Sequence, residues 1–304
     1  MISKLSYRVR SDEAGTRLDK FLAARSGLPR LLCRRAIEEG AVWASANKGR
    51  RRLRRLSFPV AAGQVIEMHH GPAAGEPPPE PLRILHEDSA LVAIDKPAGL
   101  PSQGTLQSDR RDALALASQQ TNQRLRTVHR LDAGTSGVLL FAKNHDIASA
   151  LAQQFRDGTA RKVYRAIAVG RLPQTTGLID LPLGADRRPG SRRVTADGAP
   201  AQTNYHVLAA REPLLLLELR PHTGRTHQLR VHLAHLGAPI LGDGRYRGPR
   251  ALTLPDGTFV GADRPLLHAA ELSVVHPVTG KPLVLRAEVP ADFSSVEEAI
   301  RKKE

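Results

Sequence analysis

One stretch of this chain gathers residues that could do chemistry: His129 to Lys143, HRLDAGTSGVLLFAK. An Arg–Leu–Asp triplet runs into a Gly/Thr/Ser turn and then into an apolar strand. That order puts the Asp132 carboxylate on a loop beside a rigid element, a common place for a catalytic group. Thr135, Ser136 and the N–H groups of the turn could hold it in orientation. Aspartate also caps many turns with no catalytic role, so the motif alone leaves both readings open.

A second cluster, Thr223 to His235 (TGRTHQLRVHLAH), combines Arg225 with three histidines. Arg225 falls at a loop-to-helix junction, from which it could reach into a cleft. His232 and His235 stand three residues apart with His227 near, a spacing that invites a metal. No acidic residue or cysteine supports them there, so phosphate contact or helix capping is the expected role and no metal site is assigned. Nucleotide cofactors find no support either. The chain has no G-x-x-x-x-G-K-[ST] loop, and Gly242-Asp243-Gly244 with Gly248 lacks a strand before and a helix after it. Ser136 lies outside a nucleophile elbow. Cys33, the single cysteine, excludes an internal disulfide and reads as a small helix-packing residue. The expected cofactor set is empty.

The elements that must position these groups follow from periodicity and punctuation. Strands are expected at 82–86, 91–95, 138–142, 163–169, 203–208 and 214–220, and helices at 111–120, 146–156 and 226–236. Several strand-to-strand links are too short for helical crossovers, so the sheet must be largely antiparallel or mixed. The expected fold class is α+β. Ahead of this body, Thr16 is placed to cap a helix carrying Leu18, Phe21 and Leu22, with Gly27 ending it. A second helix from about Pro29 to Glu39 turns Leu32, Ala36 and Ile37 inward, and Gly40 stops it. A strand at Ala41–Trp43 and a turn with closing strand over Val60–Met68 complete the small module. The run Lys48 to Arg55 is too charged to be core.

Length and charge frame that division. The chain has 304 residues, 41% hydrophobic and 25% charged, an ordinary balance for a globular protein and long for one domain. Five of the eleven residues from Gly71 to Pro81 are proline, which makes 71–81 a stiff spacer between a module at 1–70 and a body at 82–304. No apolar run approaches the roughly 18 to 20 residues of a membrane span, and the N-terminus lacks the pattern of a secretory signal. A cytoplasmic protein is the expectation. Forty-five Lys and Arg against thirty Asp and Glu give a net charge of +15. Fifteen basic and five acidic residues fall between Met1 and Leu56, so two thirds of the excess lies in the first fifth of the chain. A polyanion partner follows, with nucleic acid favoured over an arginine-rich but solvated surface.

The blocks Asp95-Lys96-Pro97-Ala98-Gly99, His129–Lys143, Lys162-Val163-Tyr164-Arg165-Ala166 with Gly170, and Thr223–Asp243 occur in that order. Leu267-His268-Ala269 and His276-Pro277-Val278-Thr279-Gly280 follow them. In these blocks the body resembles the RluA-type pseudouridine synthases. The stretches RLDKFLA from Arg17, Glu38–Val42 and Gly63–Glu67 resemble a small RNA-binding module named after a ribosomal small-subunit protein, the S-four-like domain. The body departs from its family at Ala133-Gly134 and at Leu100–Gln103, which flank the pocket and bear on substrate choice.

The resemblance implies an RNA isomerase that converts uridine to pseudouridine. It implies Asp132 as catalytic aspartate, Tyr164 as the tyrosine against the target base and Arg225 as the arginine paired with the aspartate. Arg130 would fill the space of the extruded base or touch a phosphate, with His129 beside it. Arg30, Arg34, Arg51 and Arg52 would bind RNA phosphates. Large-subunit ribosomal RNA is the first expectation for the substrate and transfer RNA the second, for a monomer that needs no membrane. A catalytically idle RNA-binding or ribosome-assembly factor would share the fold. A base-removing glycosidase could use a similar aspartate but would release free uracil.

Overall fold

Glycine stops and short apolar stripes shape the N-terminal part of the chain. Its structure, a computed structural model, describes residues 3–46, 49–70, 81–104 and 112–302. The chain divides into two compact units, Met1–Pro81 with Leu100–Thr121, and Leu82–Gly99 with Asn122–Glu304.

In the first unit, β1 (Ser3–Arg8) precedes α1 (Leu18–Ser26) and α2 (Arg30–Glu39), followed by β2 (Val42–Ala46), β3 (Gly49–Leu53) and β4 (Val65–His70). The strands form one antiparallel sheet in the order β1-β4-β2-β3. Gly27 and Gly40 end the two helices in the left-handed conformation that glycine adopts without strain. Leu18, Phe21, Leu22, Cys33, Ile37, Val42, Ile66 and Met68 share one core.

Two expectations change here, and the arginine run takes a definite place. The α1 cap is Arg17, with no side-chain hydrogen bond, rather than Thr16. Cys33 and Ile37 form the buried i, i+4 stripe of α2, which rotates Leu32 out to 41% exposure. The arginine run builds β3, an edge strand on which Gly49, Arg50 and Arg51 are exposed and only Leu53 is buried. Charge on an edge strand blocks further pairing, so a run unfit for a core is well suited to this position. The unit also holds α3 (Ala113–Gln120), capped by Asp112, whose carboxylate accepts the Ala115 N–H at 3.0 Å. The expected spacer at 71–81 falls outside the described residues, apart from Pro81.

The second unit is built on a ten-stranded sheet. In chain order its elements are β5 (Arg83–Glu87), β6 (Leu91–Lys96), β7 (Arg126–Thr127), β8 (Ser136–Ala142), α4 (His145–Asp157), β9 (Arg161–Val169) and β10 (Thr176–Asp180). Then follow β11 (Leu183–Ala185), β12 (Arg192–Val194), β13 (Gln202–Arg211), β14 (Leu214–Pro221) and α5 (Gln228–His235). The last are β15 (Ala251–Thr253), β16 (Phe259–Gly261), β17 (Leu267–Val275), β18 (Pro282–Arg286) and α6 (Ala291–Arg301). The main order is β10-β13-β14-β9-β17-β8-β6-β5, with β18 on β17 and β7 on β8. Among the described residues only the β17–β8 pair is parallel, so the sheet is mixed and largely antiparallel within an α+β fold, as the short links require. The pairs β11–β12 and β15–β16 stand apart as small ribbons.

Central strands read as unbroken apolar runs. All seven residues of β8 are buried, and so are Leu91–Ile94 of β6 and Leu214–Leu217 of β14. Gly137 marks a close approach between β8 and β17. Its φ is +109°, and a Cβ there would stand 2.2 Å from the Ala269 carbonyl oxygen on β17.

Candidate active site

Asp132 sits in the turn that feeds β8, and that turn is held from three sides. Thr135 N–H closes it on the Asp132 carbonyl at 3.0 Å, and Gly99 N–H reaches the Ala133 carbonyl at 2.8 Å. The Lys96 ammonium, fully buried, donates to Pro97 O at 2.9 Å and Ala133 O at 3.2 Å. Burial, reinforced by the Arg264 charge, brings Lys96 down to about 7. Arg264 donates to the Gly134 carbonyl at 3.2 Å while its fork grips Asp292 of α6 at 2.6 and 2.8 Å. The backbone of the turn is therefore immobilised by backbone N–H groups and by the Lys96 and Arg264 side chains, leaving the Asp132 side chain free to point elsewhere. Ser136 does not orient it: its hydroxyl donates to His268 Nδ1 at 2.9 Å, and His268 Nε2–H bonds Ala287 O at 3.1 Å.

The Asp132 carboxylate lies in a cavity of about 520 Å³ formed within the second unit, within the usual range for small-ligand sites. The described lining carries Arg130, Arg156, Lys162, Arg225 and Arg230 against the one carboxylate, a site biased toward anions. Tyr164, on β9 between β14 and β17, forms part of the wall. Burial, reinforced by the negative charge of Asp132, holds its phenol well above the ordinary value. It stays a neutral, flat hydroxyl-bearing face.

The ion partner of Asp132 is Arg230 rather than Arg225. Arg230 Nη1 donates to Asp132 Oδ2 at 3.1 Å, and the other side of the guanidinium grips Asp243 with two hydrogen bonds at 2.7 and 2.7 Å. Arg230 stacks on the Tyr246 ring at 5.0 Å. Against the cost of burial, its two carboxylates raise it above the usual arginine value, so its charge is permanent. Arg225 is exposed, lines the cavity, and donates through Nε to Pro200 O at 3.0 Å. Backbone geometry separates the two arginines. Gln228, the first residue of α5, accepts from Arg225 N–H and the Thr223 hydroxyl and donates to Gln202 O and Thr203 Oγ1. That clamp fixes the turn carrying Arg225 outside the helix, while Arg230 enters its first turn. A cation there opposes the helix dipole, and its burial demands strong partners. This oddity was the signal in the sequence that Arg230 had work to do.

His129 also lines the cavity, but its Nε2 accepts the Leu140 N–H at 3.0 Å and its ring stacks on Phe155 at 4.7 Å. Burial lowers it to about 3, so it is a neutral brace for β8 rather than a free RNA ligand. Arg130 is exposed at the cavity and makes no ion pair among the described residues. His232 turns inward, with Nδ1 at 3.1 Å from Thr203 Oγ1 and Nε2 at 3.0 Å from Leu181 O. Among the described residues no group of three or more His, Cys, Asp or Glu is placed to hold a metal.

In the first unit, Arg30 is drawn into structure. Its fork holds the buried Asp19 at 2.6 and 3.0 Å, with Arg17 on the other side at 3.1 Å. Burial would raise the Asp19 carboxyl, but hydrogen bonds from Arg17 and Arg30 bring it down to about 2. Arg34 remains exposed, and Arg51 lies over Phe58 at 5.0 Å. Arg52 and Arg50 stack on Trp43 at 4.4 and 4.7 Å, and Arg50 also pairs with Glu67 at 2.6 Å. Among the described residues no helix is long and apolar enough to cross a membrane.

Residues 90–235 match the family model described as RNA pseudouridylate synthase. An uncharacterized RNA pseudouridine synthase of Chloroflexus aurantiacus is 38% identical, over 93% of this chain and 90% of that protein. The Escherichia coli dual-specificity RNA pseudouridine synthase RluA is 39% identical over 71% of this chain and 97% of its own length. Among solved structures, human RNA pseudouridylate synthase domain containing 4 superposes with a TM-score of 0.59 at 30% identity, covering 73% of this chain and 94% of that one.

Proposed function

The chain belongs to the RNA pseudouridine synthases of the RluA type, and from that premise we propose that Asp132 is the nucleophile that isomerises uridines in structured RNA. The observation that carries this is a lone carboxylate, paired with a permanently charged arginine, in a cationic cavity walled by a neutral tyrosine.

The target base leaves its stack at a cost of a few kcal/mol, and Arg130 at the cavity mouth fills the vacated space or holds a phosphate. One Asp132 oxygen attacks the anomeric carbon C1′ as the C1′–N1 bond breaks and its electron pair goes to the uracil. The freed uracil turns against the face of Tyr164 until its carbon 5 meets C1′. The C1′–C5 bond forms as the ester to Asp132 breaks, and the proton on carbon 5 leaves while N1 gains one. Atoms and electrons balance with no donor or redox partner. Arg230 keeps the carboxylate oriented, and Arg225 serves the rim by touching RNA.

The first unit acts as an S-four-like RNA-binding module, with Arg34, Arg51 and Arg52 facing phosphates and Arg30 holding the fold. The concentration of basic residues there favours a large structured RNA, ribosomal before transfer RNA, met in the cytoplasm. The test is Asp132→Asn. The purified variant should bind RNA with unchanged affinity and form no pseudouridine, and appreciable turnover would end the assignment. Release of free uracil by the wild type would point to a glycosidase instead.

A further inference from the structure

The residue before α5 is held in a costly conformation for a purpose. His227 has φ +59°, the left-handed region that non-glycine residues adopt at a cost and that recurs at active sites. This conformation turns its imidazole into the cavity, with Nε2 at 3.8 Å from Asp132 Oδ2. That is too far for a direct hydrogen bond. The other ring nitrogen is committed: Nδ1 lies 2.7 Å from the Tyr246 hydroxyl, which accepts the Arg192 N–H at 2.9 Å. A phenol has one proton to give, and Nδ1 is its one acceptor among the described residues. Tyr246 therefore donates to Nδ1, and the ring's own proton sits on Nε2, facing Asp132. Burial and the nearby Arg230 and Arg245 charges lower His227, outweighing Asp132 and Asp243, so the ring is neutral.

The gap between His227 Nε2–H and Asp132 Oδ2 thus offers one donor and one acceptor 3.8 Å apart. An oxygen that both gives and takes a hydrogen bond fits between them at ordinary distances from each. A hydroxyl does this. A uracil carbonyl can only accept and would be repelled by the carboxylate. In a nucleotide within an RNA strand the 3′ and 5′ oxygens are esterified, so the one free sugar hydroxyl is the 2′, two bonds from C1′.

Building on the role given to Asp132 above, we propose that Asp132 Oδ2 and His227 Nε2–H together hold the ribose 2′-hydroxyl of the target nucleotide and so distinguish RNA from DNA at the reacting sugar. This arrangement leaves Asp132 Oδ1, which has no partner among the described residues, to face C1′. Tyr246 is a positioning residue that sets the tautomer of His227.

The test pairs two substrates with two variants of the full-length chain. A substrate RNA carries either uridine or 2′-deoxyuridine at the target position, and kcat/KM is measured for each. The wild type should lose about tenfold to a hundredfold on the deoxy target, because a half-buried donor and acceptor lose their common partner. His227→Phe should be slower on the ribose target yet lose less than about threefold on removal of the hydroxyl. Tyr246→Phe keeps the imidazole, releases its tautomer and should also discriminate less, which carries the test if His227→Phe fails to fold. Equal deoxy penalties in the wild type and the variants would overturn the proposal, as would a wild type indifferent to the hydroxyl. Failure of the Asp132 assignment is separate and visible as turnover by Asp132→Asn on the ribose target.

Discussion

Replacing Arg230 by methionine removes one guanidinium from two carboxylates at once. Asp243 is left with 1% of its side chain exposed and without the fork that holds it at 2.7 Å, and Asp132 loses its 3.1 Å partner. Stranding a buried charge in this way costs about 3–5 kcal/mol. For a unit of this size that corresponds to roughly 6–20 °C in the unfolding midpoint. Turnover should fall by at least about a hundredfold, the scale for losing one preorganised charged donor from a dry site. These two losses can be separated. In Arg230→Met with Asp243→Leu, no carboxylate is stranded at residue 243, and a well-packed apolar pair of similar volume is close to neutral in stability. Thermal unfolding should therefore recover most of the lost midpoint, while pseudouridine formation stays low because Asp132 still lacks its cation. Arg230→Lys should recover little of either, since an ammonium cannot span both carboxylates in the plane of the fork. Wild-type turnover in Arg230→Met would refute the reasoning outright. Recovery of activity in the double variant would show that Arg230 serves only to neutralise Asp243.

Arg225→Ala should raise KM and leave kcat within about threefold, because its guanidinium holds the Pro200 carbonyl and not Asp132; steady-state kinetics on a short RNA would show it. Lys96 gives a pH signature in stability. The unfolded chain keeps that proton up to about 10.4. The folded chain loses it near about 7, so between those values unfolding takes up a proton and raising the pH stabilises the fold. Denaturant unfolding at pH 7, 8 and 9 should show this rise in the wild type and a flatter response in Lys96→Met. Arg34→Ala with Arg51→Ala in the full chain should lower the log–log salt slope of RNA binding by about 0.7 to 0.9 for each phosphate no longer neutralised. An unchanged slope would make those side chains a solvated surface.

Where sequence and structure agree, short-range physics was sufficient. The helix ends at Gly27 and Gly40 are legible because a left-handed residue costs glycine nothing. The strands β6, β8 and β14 are legible because a strand covered on both faces is apolar at every position. Short links between such strands exclude helical crossovers, which determined the α+β class. Asp132 stood out by residue type and motif, Tyr164 only through the family resemblance, and net charge pointed to a polyanion.

The pairing of charges was a matter for the tertiary structure. Arg225 and Arg230 stand five residues apart in one motif, and nothing in the spacing says which reaches a carboxylate 98 positions away. Only the Gln228 clamp and the entry of α5 decide it, by leaving one arginine at the rim and burying the other. Arg30 was marked by its charge alone as a phosphate ligand, and only the fold shows the buried Asp19 held against its half-exposed side chain. His227, Tyr246 and Arg192 form a hydrogen-bonded relay from three segments whose meeting no local pattern records. Propensity and periodicity act over a few residues, so the sequence alone determined the elements and the chemical inventory. Ion pairs and buried hydrogen bonds act over a few ångströms, so which side chains work together was settled only when folding removed the water between them.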